Sequence, residues 1–135
     1  MGPSLHSLRS IAALIGASGV LLGAFGAHAL RDGFTAAQLA LWQTAVSYLF
    51  WHALAALLAL QLDANGEGVS GRASAFLLLS GAVVFSGSLF ALALSAPRWV
   101  GAVTPVGGIA MIAGWLALAW AYAQTATSAK PDGSA

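Results

Sequence analysis

Residues 33–62 read GFTAAQLALWQTAVSYLFWHALAALLALQL, thirty residues without one Asp, Glu, Lys or Arg, and they lie between Arg31-Asp32 and Asp63. A helix crossing the hydrocarbon core of a bilayer needs about 20 predominantly apolar residues. A charge at the bilayer centre costs at least about 2.5 kcal/mol. The stretch is therefore a membrane span with residues to spare. Three further charge-free gaps, 10–30, 73–97 and 99–129, are bounded by Arg9, Arg31, Arg72, Arg98 and Lys130. The predicted fold is all-α, an antiparallel bundle of four transmembrane helices with short loops. No second domain fits into 135 residues: a tail at 1–7, one membrane domain at 8–124 and a polar tail at 125–135 complete the chain. Within the membrane domain the spans are placed at about 8–30, 42–62, 73–95 and 105–124.

Composition agrees with this class. The chain is 59% hydrophobic and 7% charged, with mean hydropathy +0.85, far from the roughly 25% charged residues of a soluble domain. A net charge of +1 offers no surface to nucleic acid. With no cysteine there is no disulfide, thiolate nucleophile or iron–sulfur ligand. All four carboxylates fall in loops or the tail, and no HExxH, GxSxG or phosphate-binding loop occurs. The expectation is a protein that is not an enzyme and has no catalytic residue, metal or cofactor. Haem held between His28 and His52 is disfavoured, because their levels in the membrane would differ by about 12 Å at 1.5 Å per residue.

The first span mimics a secretory leader, with Arg9, an apolar run from Ile11 to Phe25, and Ala27-His28-Ala29 as an A-x-A site. Its glycines point instead to a retained helix. Stepping 100° per residue, Ala12, Gly16, Gly19, Gly23 and Gly26 share an 80° arc, a stripe of small residues that lets another helix approach closely. Gly87, clustered with Ser80, Ser88, Ala91 and Ser95 on the third span, and Gly107 and Gly114, with Ala110, Ala117 and Ala121 on the fourth, are assigned the same packing role.

Local signals set the boundaries. Thr35-x-x-Gln38 is a capping box, and Phe34 with Leu39 forms a hydrophobic staple. A helix from Ala36 to Leu62 would be about 40 Å long, so its first turns are placed in the headgroup layer with Trp42 as interfacial anchor. Asn65-Gly66 marks a polar turn, Pro97 ends the third span, and Thr104-Pro105 opens the fourth as N-cap and N1. Arg9, Arg72 and Lys130 would share a side with both termini, against Arg31 and Arg98, so the positive-inside rule predicts cytoplasmic termini.

The candidate functional residues lie on the second span. With Thr44 at zero, Ser47, Tyr48 and His52 fall on one helical face with Trp51. Ten residues below Trp42, His52 comes about 15 Å deeper, near mid-bilayer. An intramembrane ionisable residue is a functional-site hypothesis by default. The competing reading is an uncharged imidazole bonded to a serine, threonine or tyrosine of a neighbouring helix.

Four stretches carry a family resemblance: Gly23-Ala24-Phe25-Gly26-Ala27-His28-Ala29-Leu30; Trp42-Gln43-Thr44-Ala45-Val46 with Tyr48 and His52-Ala53-Leu54; Phe85-Ser86-Gly87-Ser88-Leu89; and Thr104-Pro105-Val106-Gly107-Gly108 with Gly114-Trp115. In this order they resemble the YgdD-type membrane proteins, domain-of-unknown-function family 423, which has eukaryotic relatives. The resemblance covers about residues 8–124. It implies a small four-helix protein of the bacterial inner, or cytoplasmic, membrane and brings no activity with it. The expected function is accordingly an uncharacterised integral membrane protein, a non-enzymatic helix-packing or accessory subunit, its contacts being lipid and either copies of itself or a larger membrane complex. The alternative is a small proton- or ion-conducting or transport protein using the polar face around Tyr48 and His52.

Overall fold

The computed structural model describes residues 4–64 and 70–128. Its four long helices are α1 (Leu5–His28), α2 (Ala36–Ala64), α3 (Ser70–Ala93) and α4 (Thr104–Ser128), with a 3-10 helix at Arg98–Ala102 before α4. All four are long and apolar enough to cross a membrane, and no strand occurs among the described residues. The Asn65-Gly66 turn and the tail beyond residue 128 lie outside them.

The ends follow local chemistry. Ser4 caps α1 by accepting from the Ser7 N–H. The capping box of α2 is formed: the Thr35 N–H donates to Gln38 Oε1 at 2.9 Å, and the Gln38 N–H to Thr35 Oγ1 at 3.2 Å. α3 stops before Pro97, in a Schellman turn. Ser95 takes the left-handed φ of 69° while its N–H bonds Leu92 O and that of Ala96 bonds Ala91 O, the paired closure that satisfies terminal carbonyls. The Thr104 reading needs correction. The Gly107 N–H bonds Val103 O, so Val103 sits at the cap, and the Thr104 hydroxyl pairs with Ser88 Oγ of α3 at 2.7 Å.

Helices pack mainly in chain order, α1 on α2, α2 on α3 and α3 on α4, with lesser contacts of α1 to α3 and of α2 to α4, and among the described residues no close backbone approach joins α1 to α4. The bundle is thus an open row with α2 and α3 inside it. Its core is rich in alanine: Ala12, Ala56, Ala59 and Ala75 with Leu8, Leu60, Leu78 and Leu118 in one cluster, and Leu49, Ala82 and Met111 in another. Small side chains bring the backbones close, the usual solution where lipid is as apolar as the interface itself.

The α1 glycines do face α2. A Cβ would lie 3.9 Å from Ala53 at Gly16, 3.4 Å from Phe50 at Gly19, 3.3 Å from Val46 at Gly23 and 2.5 Å from the Trp42 ring at Gly26. An equally close approach, here against backbone, joins α3 to α4. There a Cβ on Gly107 would come within 2.5 Å of the Phe85 nitrogen, and one on Gly81 within 2.8 Å of Gly107 O. A Cβ on Gly114 would meet Leu78 at 2.8 Å. Gly87 is a correction: it is exposed, with nothing within 4 Å of a Cβ built there. The face of α3 that packs on α4 runs through Ser74, Leu78, Gly81, Phe85 and Ser88, whose contacts are with Gly114, Gly107 and Thr104.

Trp42 also departs from expectation. It is 5% exposed, ringed by Phe25, Phe34 and Phe90, and its N–H donates to Leu22 O of α1 at 2.8 Å. It joins helices within the row and does not face lipid as an anchor. Similar bonds occur along the whole length of the row. Gln38 Nε2 reaches Ala93 O at 2.9 Å and Ser95 Oγ at 3.2 Å, Ser74 Oγ reaches Gly114 O at 2.8 Å, and Arg9 reaches Leu60 O at 3.3 Å. Each interhelical bond of this kind contributes on average about 0.6 kcal/mol in a membrane protein.

Candidate functional site

His52 lies sixteen residues into α2 and ten before Leu62, the last residue of its apolar span, so the ring sits well inside the hydrocarbon region. It is 7% exposed. Both ring nitrogens are engaged. Nδ1 is 2.7 Å from the Tyr48 carbonyl oxygen, one turn earlier on α2, and Nε2 is 3.2 Å from the indole Nε1 of Trp115 on α4. A carbonyl oxygen only accepts and an indole N–H only donates. Nδ1 must therefore carry the proton, and Nε2 must offer its lone pair. A ring protonated on both nitrogens would set one N–H against another. The arrangement holds the uncharged tautomer.

The surroundings are aromatic. The Tyr48 ring stacks on His52 with centroids 5.6 Å apart and on Phe85 of α3 at 4.6 Å, and Trp51 approaches Tyr48 at 5.9 Å. Trp115 meets His52 edge to face at 6.2 Å. Together with Gly108, Met111 and Ile112 of α4, these side chains line a cleft of about 440 Å³ between α2, α3 and α4. Its outer members Trp51, Ile112 and Trp115 are 59%, 61% and 46% exposed, so within a membrane the mouth opens on lipid.

The structure divides the predicted polar face. Tyr48 and His52 line the cleft. Ser47 turns to the opposite flank of α2, into the seam with α1 beside Gly23 and Val46. Thr44 is exposed and donates to Ala40 O on its own helix. A face 140° wide exceeded what any single neighbour of α2 could cover. The histidine's partners differ too: a backbone carbonyl and a tryptophan replace the serine, threonine or tyrosine hydroxyl. Met111 escaped the sequence reading and Trp115 entered it only as part of a family motif, although Gly108, Met111, Ile112 and Trp115 recur at the three- and four-residue spacing of one helical face. His28 is exposed at the end of α1, and no cluster of three potential metal ligands occurs among the described residues. Ser86 is fully buried, and its hydroxyl has no hydrogen-bond partner among the described residues.

The family model described as "Protein of unknown function (DUF423)" matches residues 22–108, which hold Tyr48, His52, Phe85 and Gly108 but not Trp115. The UPF0382 inner membrane protein YgdD of Escherichia coli K12 is 45% identical over 105 residues, 77% of this chain and 79% of YgdD. A UPF0382 membrane protein of Staphylococcus saprophyticus is 43% identical over 96 residues, covering 71% and 79% of the two chains. The UPF0382 membrane protein YwdK of Bacillus subtilis is 38% identical over 96 residues, 70% and 78%. No solved structure matches.

Proposed function

The chain belongs to the DUF423 family of membrane proteins, and from that premise we propose that it is a non-enzymatic accessory protein of the bacterial cytoplasmic membrane, acting by lateral association with other membrane helices. The observation that carries this reading is the open row. Among the described residues α1 and α4 make no close backbone approach, and each carries exposed apolar side chains along its length: Leu14, Val20, Leu21 and Phe25 on α1, Ile109, Ile112, Leu116 and Trp120 on α4. The interior supports it as well, since its polar side chains are largely engaged in tying helix to helix. The excess of Arg9, Arg72 and Lys130 over Arg31 and Arg98 supports cytoplasmic termini. Conduction has less support. Thr44, Ser47 and His52 lie on different flanks of α2, and the His52 ring is held without charge.

The test is isolation of the tagged chain from its native membranes in mild detergent, with cross-linking before solubilisation. Association with copies of itself or with a defined set of membrane proteins is expected. Recovery of a lone monomer under every mild condition would overturn the proposal. Purified protein in liposomes is expected to add no proton or ion leak.

A further inference from the structure

A furrow between α1 and α3 lies apart from the cleft at His52, and what it takes does not depend on lateral association. We infer that it seats an acyl chain of an anionic phospholipid, whose phosphate is held at Arg72.

The furrow follows from the row itself. Both α1 and α3 pack on α2, and they touch each other only lightly. As alternate members of an antiparallel bundle they run parallel, so both begin at the same membrane face. Leu8, Ile11 and Ile15 of α1 and Phe76, Val83 and Val84 of α3 line a space of about 320 Å³ between them. Its one hydroxyl, that of Ser80, donates to Phe76 O of its own helix at 2.7 Å. No lining side chain is left to answer a polar group, which suits a hydrocarbon chain.

A second helix is a poorer occupant. Where this chain brings helix close to helix it does so on glycine, Gly81 with Gly107 and Gly19 with Phe50, the small-residue packing usual in membranes. Ile11, Phe76 and Val83 stand exposed in the furrow walls and would hold another backbone away. A flexible chain fits between them.

Depth and charge name the head group. Arg72, Phe76, Ser80 and Val83 recur at the three- and four-residue spacing of one face of α3. At 1.5 Å per residue, Phe76 lies about 6 Å and Val84 about 18 Å below Arg72, against about 15 Å for half the hydrocarbon core. The furrow therefore runs the depth of one leaflet, and Arg72, exposed on its axis, stands at the level of that leaflet's phosphates. A guanidinium carries five N–H donors and a permanent charge, enough for a phosphate oxygen beside the interaction Arg72 already makes within the chain. Neither α1 nor α3 has an acidic residue in its first turn, so no carboxylate of those turns competes for the same place.

The experiment strips the full chain of lipid in mild detergent, titrates it with dioleoylphosphatidylglycerol or dioleoylphosphatidylcholine, and counts bound lipid by native mass spectrometry. One saturable site is expected, with phosphatidylglycerol about fivefold tighter, the advantage that one basic side chain gives an anionic lipid. Arg72→Gln should bring the two lipids level, and Arg72→Lys should keep them apart. Arg31→Gln, the same loss of charge at the opposite membrane face, should leave the preference intact. Val83→Trp fills the furrow from an exposed position and should weaken both lipids at least tenfold; Ile11→Trp repeats the test from α1 if that variant fails to fold. Glycerophosphoglycerol, the head group without chains, should not compete. Equal affinity for the two lipids, a preference that survives Arg72→Gln, or binding indifferent to both tryptophans would each overturn the assignment. A dimer dispersed by Val83→Trp with lipid binding unchanged would give the furrow to a second copy instead.

Discussion

His52 uses one nitrogen as donor and the other as acceptor, which makes its replacement informative. In His52→Gln the side-chain oxygen can take over acceptance from the Trp115 N–H, so folding should be nearly preserved. His52→Leu leaves that N–H without an acceptor, and a stranded buried donor costs about 1–3 kcal/mol. Thermal melting in detergent should therefore rank wild type, Gln and Leu in that order; equal loss in both variants would mean that the indole bond contributes nothing. Ser95 offers a change of opposite sign. A left-handed conformation costs an L-residue about 1–2 kcal/mol, against an exposed bond from Gln38 to Ser95 Oγ. Ser95→Gly should stabilise the protein by about 0.5–1 kcal/mol, read in the same melting assay. Neither position declared itself in the sequence as it does in the structure. Ser95 looked like one small residue among several, and the partner of His52 is a tryptophan 63 residues away, beyond any local spacing rule.

The helices meet through glycines that are not equivalent. Gly81 and Gly107 face backbone, which cannot move aside, and Gly26 faces a Trp42 ring held by its bond to Leu22 O. Alanine at any of the three should cost about 1–3 kcal/mol by overpacking. Gly87→Ala should cost nothing and add about 0.5–1 kcal/mol from helix propensity. Melting of the four single variants checks this; destabilisation by Gly87→Ala comparable to Gly107→Ala would contradict the packing described. The stripe on α1 was legible because five small residues in register on one apolar helix leave little else to read. On α3 the legible cluster was right only in part, at Ser88, which bonds Thr104 of α4. Ser80, Gly87 and Ala91 are small, yet Ser80 bonds back to Phe76 O and Gly87 is exposed. Small residues on a lipid-facing side and on a packed side look alike in a sequence that is apolar all round. Capping chemistry, being local, was readable at Thr35-x-x-Gln38. That Gln38 also reaches Ala93 O on α3 was not.

For the whole molecule, the number of spans follows from the charge-free gaps, and the order of neighbours follows from short loops, but nothing in the sequence distinguishes a closed bundle from an open row. Closure depends on whether α1 and α4 meet, a relation between residues a full chain length apart. The side of the membrane is equally a whole-molecule property. Reporter fusions at Gly68 and at the C-terminus are expected to report the cytoplasm and one near Gly33 the opposite side; a C-terminal fusion reporting outside would reverse the orientation. The open row also has a mechanical consequence. In a closed bundle, pulling one helix disturbs two neighbours, and the structure tends to fail as a unit. Here each outer helix is held mainly by a single neighbour, like the end unit of a stacked array whose stability is a sum of nearest-neighbour terms. Drawn from the bilayer by one terminus in a force-spectroscopy experiment, the chain should yield in separate steps, the end helix first.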